Sequence, residues 1–405
     1  MSPIDALPSW LHKRSTLVLL VLAAWIILGT IFAGVHTLEL STATNTPATD
    51  WLREFAASIR GSRSEAPIFI YFFNPIRGGI EGFVELIRAL IAVPASGNVI
   101  PVIGWFGVVA IVGYVVYASS NWRTSLLSMG LLTACGMLGV WTYTMDTLAM
   151  TIGAVLLSLA IALPIGIWAG LSDRVMAFIR PVLDLAQILP TLVYLAPLAL
   201  VFLIGIAAAT IATMIYSIPI CVRITAHAIR SLKAGPIEAA ESMGSTRWQM
   251  LRKVQLPMAR RTIILGINQT TLAALSFVVI AALIGAPGLG KPVIEALTIR
   301  NVGDGVVAGL AVVFLAVMLD RSTTAAVQHS GDLPPEGPAL IRRRIGLIAA
   351  GIATLIAVYL SRFQLWAAVF PEQLVIGDYI ASAADAVTEW ITSTFYFLTI
   401  GLNEN

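Results

Sequence analysis

The chain is 405 residues long, 58% hydrophobic and only 12% charged, with a formal net charge of +3 and a mean hydropathy of +0.87. Soluble domains carry about a quarter of their residues as Asp, Glu, Lys and Arg, so this composition excludes a water-facing coat at this size and sets the surplus apolar surface against lipid. Cys135 and Cys221 lie inside apolar runs, and His12, His36, His227 and His329 are scattered, a pattern that supports neither a disulfide framework nor a metal site.

In chain order, nine stretches approach the roughly 20 mostly apolar residues that a spanning helix needs. They are Thr16–Val35, Val99–Ser119, Ser125–Tyr143, Thr147–Leu171, Val182–Gly205, Ile206–Val222, Thr262–Gly285, Val306–Leu319 and Ile345–Phe370. The first follows Lys13 and Arg14 and starts like a signal peptide, but its length and the lack of a small-x-small site behind it mark a retained helix. The eighth is short and needs a flank to complete it. With the N-terminus in the cytoplasm, the alternating loops put seventeen of the 25 basic residues inside and eight outside, as the positive-inside rule demands.

The segment Asp50–Val93 falls outside and is too charged to span. Within it, Phe83, Leu86, Ile87, Leu90 and Ile91 make one helical stripe, which fits either an amphipathic helix lying in the interface or a small soluble hairpin. Asp146 is placed in an outer turn. The loop Asp320–Leu340, with Gly331, Pro334, Pro335, Gly337 and Pro338, reads as a linker. Beyond the ninth span, Asp378–Trp390 and Ile391–Leu402 are again amphipathic, and the first loosely echoes the stretch from Asp50, which fits a second module beginning by duplication or fusion, or coincidence.

The loop Leu232–Arg261 carries the most specific signal. It reads Pro236-Ile-Glu-Ala-Ala-Glu-Ser-Met-Gly-Ser-Thr-Arg-Trp-Gln-Met-Leu-Arg-Lys-Val-Gln-Leu-Pro257. Ile237–Met243 suits a short helix that Gly244 ends in a left-handed cap. Ser245 or Thr246 then caps a second helix, Trp248, Leu251 and Val254 form its apolar stripe, and Pro257 halts it before the membrane.

Glu238, Ala239, Ala240, Gly244, Val254, Leu256 and Pro257 keep the spacing of the EAA loop, and on these residues the chain resembles the permeases of ABC importers; Val254 stands where Ile is commoner. Asp184–Pro197, Lys253–Pro257, Gly266–Thr270, Leu275–Ala281, Gly288–Gly290 and Leu319–Arg321 are similar to the glycine betaine/proline/choline branch. The resemblance implies an all-α polytopic membrane protein of the type I ABC importer transmembrane fold, with about nine spans plus outer amphipathic helices. It divides the chain into an N-terminal scaffold over 1–144, a transport core over 145–321 with the cytosolic coupling loop 232–261, a linker over 322–344 and a C-terminal span with outer tail over 345–405.

The same resemblance implies two copies of an ABC ATPase docked on the coupling loop, an extracytoplasmic substrate-binding protein, and a second permease copy from a homodimer, a related chain or a fused product. It sets the chain in a bacterial cytoplasmic (inner) membrane, multi-pass, and implies no nucleic acid partner. No catalytic or metal-ligating set is visible, and ATP with its Mg is expected on the ATPase. Gly285-Ala-Pro-Gly-Leu-Gly-Lys-Pro292 fits the start of a phosphate loop but puts Pro292 where the Ser or Thr belongs and follows a helix; it reads as a turn into a re-entrant or outer segment.

Candidate residues of a translocation path are Tyr194, Asn268 and Gln269. Tyr194 lies between Pro190 and Pro197, where its ring serves either a cationic headgroup or core packing. Asn268 and Gln269 either line the path or bond helices together. No Asp, Glu, Lys or Arg stands near a bilayer centre, which argues against an ion-coupled secondary transporter. A membrane enzyme lacks its nucleophile–base pair here, and an importer of amino acids or other small solutes remains the nearer alternative.

Overall fold

The computed structural model describes residues 14–31, 47–94, 100–329 and 337–394, and among these every regular element is helical. The chain forms two compact units, Met1–Ser58 and Ile59–Asn405. The first holds α1 (Arg14–Ile31) and most of α2 (Pro47–Ser62). The sequence of α1 is apolar all round, as a lipid-facing helix requires. In α2, by contrast, apolar residues take one side, and Trp51 stacks on Phe55 one turn later at 5.6 Å.

The second unit runs through α3 (Asn74–Ile91), α4 (Trp105–Ser119), α5 (Trp122–Met137), α6 (Trp141–Leu171), α7 (Asp173–Ile188), α8 (Thr191–Phe202) and α9 (Ile206–Arg230). It continues through α10 (Ala234–Ser242), α11 (Arg247–Met250), α12 (Leu256–Ile280), α13 (Gly290–Ile299), α14 (Val302–His329), α15 (Pro338–Phe363), α16 (Leu365–Ala368) and α17 (Gly377–Thr394). At its centre α6, α9 and α12 pack against one another, with α14 against α12. Lipid tails are as apolar as leucine, so such contacts rest on close packing and polar pairs. Gly166 of α6 shows the first: a Cβ there would lie 2.7 Å from Cβ of Thr225 on α9. The hydroxyls of Ser158 and Ser217, 2.9 Å apart across the same interface, show the second. Outside this centre α4 packs on α5 and α15, α5 on α14, and α17 on α14.

Several expectations change. Five helices are long and apolar enough to cross a bilayer among the described residues, or six if α7 and α8 count as one broken span; nine is not reached by this measure. The stretches at α4 and α5 are helices of 15 and 16 residues. The stretch Val182–Gly205 is not one helix, because α7 and α8 meet at a 100° bend where Pro190 removes a backbone donor and biases Leu189 to extended ψ. The eighth span is completed on both flanks and runs to His329, so residues 322–329 of the expected linker are helix; 338–344 begin α15, and 330–336 lie outside the described residues. The ninth stops at Phe363.

Neither amphipathic flank of the second unit stands apart. Helix α3 packs on α6 and α9, with Val84 fully buried against Gly153, which corrects the picture of a helix lying only in the interface. Asp378–Trp390 is part of the single helix α17, whose Asp385 carboxylate accepts a 2.7 Å hydrogen bond from the Gly303 N–H at the start of α14. Residues 395–405, including the end of Ile391–Leu402, lie outside the described residues.

Asp146 is not in an outer turn. Gly139, at φ +79°, turns the chain after α5, so α6 starts at Trp141 and carries Asp146 inward. There it takes a 2.9 Å ion pair from Arg88 of α3, the side chains being 9% and 13% exposed; Arg88 also reaches Glu85 at 2.7 Å. Removing one partner of such a buried pair strands the other charge at a cost of about 3–5 kcal/mol. Arg88→Met should therefore lower the thermal unfolding midpoint in detergent markedly, and Arg88→Met/Asp146→Leu should restore much of the loss. A double variant as unstable as the sum of the singles would show that the pair is not coupled.

Candidate coupling and translocation site

The loop between α9 and α12 is a rigid helix–turn–helix. At the end of α10, the Ser245 N–H donates to Ala240 O at 3.1 Å and the Gly244 N–H to Glu241 O at 2.9 Å. This paired closure needs a left-handed residue, and Gly244 supplies φ +76°. A Cβ at that position would meet no atom within 4 Å, so glycine is required here by the backbone and not by crowding. Of the two cap candidates the structure uses Thr246. Its Oγ1 accepts from the Gln249 N–H at 3.3 Å while Gln249 Oε1 accepts from the Thr246 N–H at 2.9 Å, a reciprocal box. Gln249, three residues after Thr246, was legible as part of that box but was not singled out.

Two details of the loop differ from expectation. Pro257 does not halt the second helix. The path from Arg247 to Ile284 is continuous, with a π turn over Leu251–Gln255, and Pro257 sits in the first turn of α12. The wider turn, in which the Leu256 N–H bonds Leu251 O, relieves the clash a proline ring makes with the carbonyl four residues back. Nor do Trp248, Leu251 and Val254 share one buried stripe. Met250 and Leu251 turn inward, Val254 is half-buried, and Trp248 is 67% exposed beside Met243 at 85%. Glu238 and Ala239 are exposed and Ala240 is buried; Leu256 is half-buried and Pro257 exposed.

The three path candidates do not share one environment. Tyr194 of α8 stacks on Phe277 of α12 at 5.8 Å, and Tyr216 of α9 meets the same ring at 5.5 Å. The Tyr194 hydroxyl is buried without a hydrogen-bond partner among the described residues. Asn268 is occupied in a helix–helix contact, donating to Thr324 Oγ1 at 3.1 Å and accepting from the Thr323 hydroxyl. Gln269 instead lies on the exposed side of α12, which also carries Leu265, Ser276 and Ile280. Phe277, Tyr216 and Ser276 were not singled out from the sequence; their positions on a helix face depend on which neighbours each helix finds.

The segment Gly285–Pro292 closes onto α6 in place of cradling a ligand. Gly288, at φ +123°, lets the chain approach so closely that a Cβ would sit 2.5 Å from Thr147 Oγ1, and that hydroxyl accepts from the Leu289 N–H at 2.7 Å.

Residues 162–330 match the family described as the binding-protein-dependent transport system inner membrane component. The glycine betaine transport system permease protein OpuAB of Bacillus subtilis is 39% identical over 258 residues, which span 62% of this chain and 86% of that one. The chain belongs to this family. The glycine betaine/proline betaine transport system permease protein ProW of Escherichia coli is 41% identical over 229 residues, 55% of this chain and 65% of ProW. Among solved structures, the inward-facing MetNI methionine ABC transporter aligns with 47% of this chain and 95% of its own at 22% identity and a TM-score of 0.45. All seven loop residues and all three path candidates of this permease fall inside the matched region.

The environments separate two variants. Tyr194→Phe removes a hydroxyl that has no partner among the described residues and so should leave thermal stability in detergent unchanged or slightly raised. Asn268→Ala leaves Thr323 and Thr324 facing an empty position and should cost about 1–2 kcal/mol. Equal losses in the two variants would contradict this assignment.

Proposed function

We propose that this permease is the membrane-spanning subunit of an ATP-driven, binding-protein-dependent importer whose cargo is glycine betaine, proline betaine or a related quaternary-ammonium solute. The cargo class rests on what the relatives OpuAB and ProW are named for. The coupling role rests on one observation, the stiff turn at Gly244 that holds two exposed apolar side chains, Met243 and Trp248, at the tip of a helix pair continuous with α12.

In this reading the N-terminus and the loop 232–261 face the cytosol, and an ATPase subunit, carrying ATP and Mg, grips each copy of the tip formed around Glu238, Ala239, Ala240 and Gly244. Closure of the ATPases moves the tip. The unbroken path through Val254, Leu256 and Pro257 carries that movement into α12. A cargo-loaded extracytoplasmic receptor favours one of the two states, which gives the cycle its direction.

A second permease copy completes the pathway. Support for it comes from the exposed side of α12, where Gln269 and Ser276 stand two turns apart. The Ser276 hydroxyl is satisfied by Leu272 O one turn back, but an amide such as that of Gln269 is costly against lipid and suits a water-lined path or a protein contact. Beside that helix the half-buried rings of Tyr194 and Tyr216, packed on Phe277, offer aromatic surface, which attracts a methylated ammonium group.

Gly244→Val forces a β-branched residue into the left-handed region, against a penalty of about 1–2 kcal/mol or more, and so should open the turn. In proteoliposomes with the ATPase and receptor, membrane insertion should stay intact while receptor-stimulated ATP hydrolysis and uptake fall by at least about tenfold. Full stimulation in that variant, or labelling of Ser245→Cys only from the extracytoplasmic side, would overturn the coupling assignment.

A further inference from the structure

Outside the transport core, α4, α5 and α15 enclose a groove of about 680 Å³ whose walls are nearly all apolar. Its floor is made of small residues. Gly113 sits where α5 crosses α4, and Gly346, Ala350 and Ala353 open the face of α15. Aromatic side chains, Tyr114, Tyr117 and Trp122, complete the lining. The lining residues of α15 run from Gly346 to Leu360, about 21 Å at 1.5 Å per residue. That exceeds half of a hydrocarbon core about 30 Å thick, so the groove is as deep as one leaflet.

One end of the groove is basic. The lining positions on α15 recur at helical spacing, and stepping back three and four residues from Gly346 reaches Arg343 and Arg342, on the same face one turn earlier. Gly346 is close enough to α4 that a Cβ there would lie 2.5 Å from the Tyr117 hydroxyl, so this turn of α15 adjoins the C-terminal end of α4. Arg123, next in the chain, holds its guanidinium 5.5 Å from the ring centre of Trp122, which lines the groove. All three arginines are exposed, and among the described residues no carboxylate pairs with any of them. An apolar slot with a cationic mouth, set in a membrane protein, matches the two ends of a phospholipid.

We infer that this groove holds an anionic phospholipid, its acyl chain lying between α4, α5 and α15 and its phosphate on Arg123, Arg342 and Arg343. Guanidinium groups bind phosphate oxygens in pairs, and Tyr117 and Trp122 stand at the basic end, where amphipathic rings suit the headgroup boundary. The site depends on the chain being a membrane permease and not on the coupling or cargo assignments.

The test uses the full chain purified from vesicles of equal phosphatidylglycerol and phosphatidylcholine, with co-purifying lipid quantified by mass spectrometry. The native chain should retain phosphatidylglycerol in preference. Arg123→Gln/Arg342→Gln/Arg343→Gln, at exposed positions that leave the helices folded by circular dichroism, should lose that preference by at least about tenfold, since each basic group near an anionic surface is worth about a factor of five. Ala353→Trp, which fills the groove and leaves every charge in place, should lose it as well. Retention in the Ala353→Trp variant would show a diffuse charge effect and overturn the groove site. A change of oligomeric state in that variant with lipid retention unaltered would show that a second copy covers the groove, and would also overturn it.

Discussion

The absence of water from the hydrocarbon core governs this structure. A polar group there must find its partner inside the protein, and helices gain nothing from hiding apolar surface that lipid already covers. The contacts at the centre of the fold answer both demands. Gly166 brings α6 against Thr225 of α9, and Ser158 meets Ser217 nearby. Asn268 is satisfied by two threonines of α14. Arg88 of α3 and Asp146 of α6 carry opposite charges into the boundary between those two helices and neutralise each other. The outcome is a core whose helices are fixed relative to one another by a few specific contacts.

That stiffness makes the Gly244 turn useful. A loop tethered by flexible chain would absorb any push given to it. Here α9 leads into α10 within a few residues, the turn at Gly244 is closed by two backbone hydrogen bonds, and the second helix continues through a π turn into α12 without a break. In the proposed cycle a displacement at Met243 or Trp248 would move α12, and α12 carries Gln269, Ser276 and Phe277. The 100° bend at Pro190 lies on the neighbouring helix pair. Between the tip and the aromatic cluster, the chain has one continuous lever and one adjacent break.

The periphery has a different character. Helices α4, α5 and α15 meet through glycine, alanine and aromatic residues and leave a slot between them. Arg123, Arg342 and Arg343 at its end are exposed and supply the charge of the proposed lipid contact.

The residues themselves determined that this is a membrane permease of this family, because low charge over 405 residues leaves only lipid as solvent and because seven loop positions at set spacing are local requirements. The left-handed turn at Gly244 was equally legible, since backbone strain is a property of one residue and its neighbours. The number and limits of the spans were not. Hydropathy cannot see that Gly139 turns the chain early enough to carry Asp146 into the core, or that a π turn lets a helix pass Pro257. Nor could it separate Asn268 from Gln269, adjacent in sequence and both polar: about 100° of helical rotation sends one into α14 and the other to an exposed face. Tertiary structure decided those points, because which face of a helix is covered is set by the neighbour it packs against.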